Sequence, residues 1–446
     1  ATDNTVISDG ATGTSSNLIK FNTGGASVLF RITGITVQGG TGTAKNQMIQ
    51  IGGGTTNLRV DHCHFNPTTY SFSANAVITL YGTLEGVFDH NLFNLGNGGN
   101  YTNGIQVYAG QLDTIGRGDG SWAAPSSWGS QHAIFAENNT YVGGYTDDCN
   151  LGGHLVTRYN AITVVNAGVQ AHPTYSGGGR DRGCRTLEVY HNYFSTNSTS
   201  PDPNAFGMRG GTGLFWENII TSNFKAVLGL YTDRATADHN ESPGPTQNPE
   251  GWGYCGTAPA NNGSGSSWDG NSTTTTGYPC LDGVGRGQGQ ALNGADFKPY
   301  SSTGPLNTTT GAKTWPHEYL EPVYVWGTTN NGVPLLSLQD TVTQNNRDVY
   351  VDSASFNGTS GTGQGLLSSR PATCTAGPGG TYGQSPTGSY GVAYFATDNQ
   401  TLYVCTAANT WTAIYTPYVY PHPLVAGGGV SGNAPNPPTG LVLTVQ

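Results

Sequence analysis

Six short segments in the first half of the chain share one pattern of apolar and polar positions: VDHCHF, FDHNLF, AENNTY, TRYNAI, VYHNYF and FWENII. Each closes on a large apolar residue, Phe65, Phe93, Tyr141, Ile162, Phe194 or Ile220. Two places earlier stands Cys63, Asn91, Asn139, Asn160, Asn192 or Asn218, and three places before that Val60, Phe88, Ala136, Thr157, Val189 or Phe215. FRITGITV is an earlier copy, with Ile35 in the asparagine position. Counted from Ile35, the spacings are 28, 28, 48, 21, 32 and 26 residues.

A second strand-like pattern precedes most copies: LIKF, MIQI, VITL, GIQV, GVQAH and FGMRG. Each repeat therefore holds two or more short strands joined by Gly- and Asn-rich turns. Strands this short cannot bury an apolar face alone, but stacked coils bury a continuous interior. An asparagine at the same turn of every coil can bond to its equivalents above and below, which satisfies polar groups that would be costly to bury bare. The expected fold is all-β, a solenoid with a core over residues 1–235 and final coils over 301–370, where EYLEPVYVWGTTNNGVPLLSL repeats the theme weakly.

With this periodicity and asparagine ladder, the chain resembles the right-handed parallel β-helix proteins of the pectate-lyase-like type. YPCLDGVGRGQG, FNGTSGTGQG, RPATCTAG and YPHPL also look like pieces of secreted bacterial β-helix proteins. The resemblance implies a right-handed parallel β-helix and leaves the reaction open. His62, His90 and His191 all stand just before the ladder residue, so stacked turn histidines are expected there, although His62 and His64 flank Cys63 in the manner of a metal pair.

Interruptions of the repeat mark the rest. Residues 109–131 are an insertion that explains the longest spacing, and 236–300 are a longer loop excursion. In 371–420, VAYFAT, TLYVCTA and TWTAIY read as three strands of a small β module closed by Cys374 and Cys405. Residues 421–446 read as a linker and a strand-like tail that docks on the solenoid or leads to a partner.

Composition narrows the class. With 35% hydrophobic residues the chain can build a core, although 68 glycines and only 10% charged residues make it unusual. A formal net charge of −10 argues against nucleic acid as a partner, and no apolar run is long enough to span a membrane. The seven cysteines form no zinc spacing. Three disulfides and one buried thiol are expected, paired as Cys149 with Cys184, Cys255 with Cys280 and Cys374 with Cys405; other connectivities of the same residues stay open. Such usage points to a secreted, extracellular protein.

Charge is uneven. Five of the twelve arginines, Arg180, Arg182, Arg185, Arg209 and Arg234, fall between positions 180 and 234, against five lysines in the whole chain. Stacked coils would set these side chains on one edge. Arginine forks bind uronate carboxylates, so an acidic polysaccharide or another glycan is the expected partner. β-Elimination needs a base beside the uronate carboxylate and a cation to hold the enolate charge. His172, Arg182 and Arg209 are the candidate catalytic residues. Arg180 and Arg234, with Trp122, Trp128, Trp252 and Trp268 from the insertions, are the candidate sugar contacts. Asp147 and Asp148 could hold a bridging Ca2+. Arginines beside aspartates in RDR and TDR could equally form surface ion pairs.

TDDCNLGGH is similar to the polygalacturonase site, which would make Asp147 and Asp148 acid and base with His154 nearby. The preceding NTD and following RIK of that family are missing, so elimination ranks above hydrolysis. The alternative function is a non-catalytic structural or adhesive protein that assembles into fibres or a surface layer through coil ends or the tail. A glycan-binding module without turnover is a third reading.

Overall fold

The structure is a computed structural model that describes residues 5–8, 17–39, 44–67, 71–96, 103–108, 118–165, 167–172, 182–197, 203–221, 223–231, 282–289, 297–298, 306–307, 318–339, 343–377 and 390–425. Among these residues it is all-β apart from one short helix, Asp119–Ala123, and a 3-10 turn, Leu367–Ser369. Three long parallel sheets of nine, nine and eight strands among the described residues run side by side. Each coil visits them in the same order, here called sheets 1, 2 and 3. The fifth coil, for example, supplies Tyr145–Asn150, then His154–Arg158, then Ala161–Val164. The chain is thus a parallel, β-helix-like solenoid.

The segment pattern becomes the interior. Phe65, Phe93, Tyr141, Ile162, Phe194 and Ile220 are in register across sheet 3 and buried. Phe65, Phe93 and Tyr141 stack with ring centres 4.9 and 4.7 Å apart. The asparagines form the expected column. Asn139 Oδ1 accepts from the backbone N–H of Asn91 at 2.9 Å and from its Nδ2 at 3.0 Å. Asn160 serves Asn139 in the same way, Asn192 serves Asn160, and Asn218 serves Asn192. Each Nδ2 also donates to a backbone carbonyl of the preceding coil, as Asn160 does to Ala136 at 2.9 Å. Cys63 heads the column, buried, its thiol pushed up to about 11 by desolvation.

The residue before each ladder position turns the corner in the left-handed region: His62, His90, Asn138, Tyr159, His191 and Glu217 have φ between 46° and 56°. That conformation strains an ordinary side chain. The bonds of the ladder residue that follows offset the strain. His62 and His90 stack 5.2 Å apart, and each ring Nδ1 faces the preceding aspartate.

Sheet 2 is apolar on both faces in its later coils. Val87, Phe135, Val156, Leu214, Trp216, Tyr324, Trp326 and Tyr350 point away from the solenoid interior yet are buried. The C-terminal module covers them. Its strands Ala393–Ala396, Thr401–Ala407 and Thr410–Tyr415 pair antiparallel, and Thr362–Gly365 joins them in parallel. Cys374 and Cys405 are bonded, S–S 1.99 Å. From Tyr415 the chain runs back along sheet 2. The carbonyls of Tyr418 and Val419 accept from Arg158 (2.7 and 2.9 Å), the His422 N–H donates to Glu137 (2.9 Å), and the Leu424 carbonyl accepts from Arg59 (2.9 Å). These ten or so residues form a strap that reaches the second coil.

Residues 232–281, which follow Ala226–Leu230, lie outside the described set, with Arg234, Trp252, Cys255, Trp268 and Cys280 among them. From Asp282 the chain pairs Arg286–Gly289 with Glu318–Leu320, then adds Val323–Trp326 to sheet 2, Leu336–Leu338 to sheet 1 and Val349–Tyr350 to sheet 2. No helix among the described residues is long and apolar enough to cross a membrane.

Candidate functional site

Alternation along the sheet 1 strands decides which residues share a surface. Inward side chains such as Ile105, Val107, Val169 and Ala171 are buried in the core. Their neighbours point outward. In register, Gln106, Asp148 and Gln170 form one outward column. Tyr81, Tyr108 and Asn150 form a second. His172, Arg209 and Tyr231 continue it: each is one residue past a paired strand and donates its N–H to the coil before, to Cys149, Ala171 and Met208 at 2.9, 3.0 and 3.1 Å.

Asp148 anchors this face. It is buried, and its carboxylate accepts from Gln106 Nε2 at 2.8 Å and Asn150 Nδ2 at 3.0 Å. Its other oxygen bonds to Nδ1 of His172. The His172 side chain keeps 17% exposure. With Nδ1 given to the carboxylate, Nε2 is the nitrogen left for a ligand. Arg209, one coil on, lies over the Tyr231 ring at 5.2 Å and has no carboxylate partner among the described residues. Tyr81 and Tyr108, three and two coils before His172, stack at 5.5 Å and are partly exposed. Beneath His172, Cys149 and Cys184 are bonded, S–S 2.01 Å, which ties the coil on either side of residues 173–181.

The structure thus brings together His172, Asp148 and Arg209. It places the other candidates elsewhere. Asp147 precedes Asp148 on the same strand, so it points into the interior, against Tyr141 Oη (3.0 Å) and Thr157 Oγ1 (3.0 Å), and desolvation pushes it up to about 7. Two carboxyls on opposite faces of a strand cannot hold one cation or serve one substrate as acid and base. Asp148, ringed by N–H donors, offers no oxygen-rich cage either, so these residues do not fit a calcium site. His154 is also buried, bonded to Thr186 at 3.0 Å and lowered to about 3 by desolvation.

Arg182 is fully buried. Its Nη2 meets Asp282 Oδ1 and Glu318 Oε1, each at 2.7 Å. Arg185 meets Glu321 at 2.8 Å, and the buried Trp122 ring lies 4.8 Å from one guanidinium and 5.6 Å from the other. Trp122 Nε1 donates to the Gly183 carbonyl at 2.8 Å. This knot fastens the insertion and the returning excursion to the corner between sheets 1 and 2. Trp128 packs with the residues under the C-terminal module. Neither tryptophan presents a ring to solvent. Arg180, Arg234, Trp252 and Trp268 lie outside the described residues.

Gln106, Asn150, Gln170, Tyr81, Tyr108 and Tyr231 are absent from the sequence-derived candidates. The signal for them was parity: aligning GIQVY with TDDCN and VQAH puts Gln106, Asp148 and Gln170 in one file. Comparison with known protein families, curated proteins and solved structures finds no match to this chain.

Proposed function

We propose that the protein is a secreted right-handed parallel β-helix of the pectate-lyase-like kind that binds an acidic polysaccharide across sheet 1 and cleaves it by β-elimination. The right-handed winding rests on the strong preference of parallel crossovers for that hand. Secretion rests on the disulfides Cys149–Cys184 and Cys374–Cys405, which form where thiols oxidise. The observation that carries the chemistry is a histidine oriented by a buried carboxylate, beside an arginine with no acidic partner among the described residues.

In this reading Nε2 of His172 removes the proton next to a uronate carboxylate. Arg209 forks onto that carboxylate and holds the charge of the enolate that forms. The electron pair then makes the carbon–carbon double bond and expels the glycosidic oxygen, which takes up a proton. Asp148 is a positioning residue that fixes the ring and its tautomer, while Gln106, Gln170, Tyr81 and Tyr108 extend the surface along the chain of sugars. Arg182 holds the scaffold.

The test is incubation with pectate, alginate and glycosaminoglycans, with and without calcium, following the absorbance of the unsaturated product. His172→Ala is expected to lower the rate by about 100-fold or more, the usual worth of a general base. Absence of product from every polymer under both conditions overturns the reading.

Assembly into a fibre or surface layer has one observation in its favour. The outward face of sheet 3 exposes Leu92, Val142, Tyr193 and Ile219. A second copy is the occupant this reading requires. Light scattering at high concentration decides it: a monomer excludes it.

A further inference from the structure

We propose that a cavity between the last coil and the C-terminal module is a binding pocket for a neutral sugar residue. It lies apart from the sheet 1 face and does not depend on any reaction there.

The cavity has a volume of about 530 Å³ and is lined by Asp352, Ser353, Phe356, Gln364, Ser369 and Tyr394, with smaller neighbours. That is within the range of small-molecule sites, about 300–1,000 Å³. Its walls belong to fixed structure. Asp352 bridges to Thr362 just after Val349–Tyr350; Gln364 lies on Thr362–Gly365, and Tyr394 on the paired strand Ala393–Ala396. Tyr394 is only 3% exposed, and its hydroxyl donates to the Leu366 carbonyl at 3.0 Å. Two glycines make room for the rings. A Cβ at Gly365, whose φ is +151°, would come within 2.6 Å of the Tyr394 hydroxyl. One at Gly363 would come within 2.3 Å of the Phe356 ring. Phe356 and Tyr394 sit 5.9 Å apart with a 36° tilt, which gives the pocket an aromatic wall.

The polar groups complement that wall. Asp352 is half-buried; its Oδ2 accepts from the Gly327 N–H at 3.1 Å. Burial raises its pKa, so an incoming hydroxyl donor would be a welcome partner. Gln364 and Ser369 are exposed at the rim, where an amide and a hydroxyl can both donate and accept. A sugar ring matches this arrangement: one face of C–H groups for the rings, and hydroxyls at the edge for the carboxylate and amide. Charge selects among sugars. Asp352 is the one charged residue of the lining, so a uronate or phosphate is repelled. A single carboxylate is also too few oxygens for a hard cation.

Calorimetric titration of the whole protein with the methyl glycosides of glucose, galactose, mannose and xylose, and with galacturonate, tests this. At least one neutral glycoside is expected to saturate, with galacturonate at least tenfold weaker. Gln364→Ala and Ser369→Trp change exposed rim side chains, and each is expected to weaken binding at least tenfold at an unchanged melting temperature. His172→Ala is expected to leave it unaltered. The proposal is overturned if none of the four glycosides saturates, if galacturonate binds as well as they do, or if Ser369→Trp binds with wild-type affinity.

Discussion

Asn160 and Asn192 have the fullest sets of bonds in the ladder: Asn160 accepts from Asn139 and donates to Asn192, Ala136 and the Arg158 carbonyl, and Asn192 repeats the pattern one coil on. Asn160→Ala leaves several buried groups without partners. At about 1–3 kcal/mol for an orphaned group, a loss of about 3 kcal/mol or more is expected by chemical denaturation. Glu188 makes a prediction with a sign. It is buried under the module, accepts from the Gly129 N–H at 2.9 Å, and desolvation pushes it up to about 7. A carboxyl raised on folding lends stability below its unfolded value and loses it as pH climbs through its folded value. Glu188→Gln keeps the hydrogen bond without the charge. Its melting temperature should match the wild type near pH 4 and exceed it increasingly up to about pH 7, beyond which the gap is constant. An equal gap at both ends of that range would contradict the burial of this carboxyl.

At the scale of elements, the corner knot and the strap carry separate predictions. Arg182 shares no surface with His172 but holds Asp282 and Glu318 in the interior. Arg182→Met strands two buried carboxylates, so a loss of about 3–5 kcal/mol is expected, whatever becomes of activity. Arg158→Ala removes the bonds to the Tyr418 and Val419 carbonyls and should speed hydrogen exchange and proteolysis over 416–425. The ladder was legible in the sequence because it recurs: one residue type at one offset, coil after coil. Which residues share a face was also written there, in the parity of strands, and parity separates Asp147 from Asp148. The partners of Arg182 were not, since they lie 100 and 136 residues away, beyond the point where the repeat breaks off. The covering of sheet 2 was half legible. GVFD, LVTR, LEVY, GLFW and VYVW are apolar at both parities, the mark of a strand buried on two sides. Nothing in them says what lies on top.

At the scale of the molecule, the solenoid gives each sheet a different environment. Sheet 1 is a polar face of amides, tyrosines and the His172–Asp148 pair; sheet 2 is roofed by the module; sheet 3 carries exposed apolar residues at Leu92, Tyr193 and Ile219. Two buried histidines among the described residues, His154 and His422, are lowered to about 3 and about 4, both chiefly by desolvation. A histidine lowered on folding gives stability at neutral pH that is lost as pH falls from about 6.5 toward its folded value. His422 faces Phe135 and Tyr418, with Glu137 bonded to its backbone and Arg158 and Arg59 nearby. Both losses begin at the same pH, and the strap, held by a few bonds to Arg158, Glu137 and Arg59, should loosen before the coils. Fluorescence of a probe on 416–425 would then change at higher pH than the circular dichroism of the sheets, and simultaneous change would refute it.

The direction of the strap has a consequence for how the protein is made. Ribosomes deliver the coils first and their roof last, so Trp216 and Trp326 emerge uncovered until Phe395 follows, and Phe135 until Tyr418 and His422 do. A chain truncated after the solenoid would display that whole strip at once. Nascent copies on one message are then most prone to stick to each other in the interval between the completion of the last coil and the arrival of the strap.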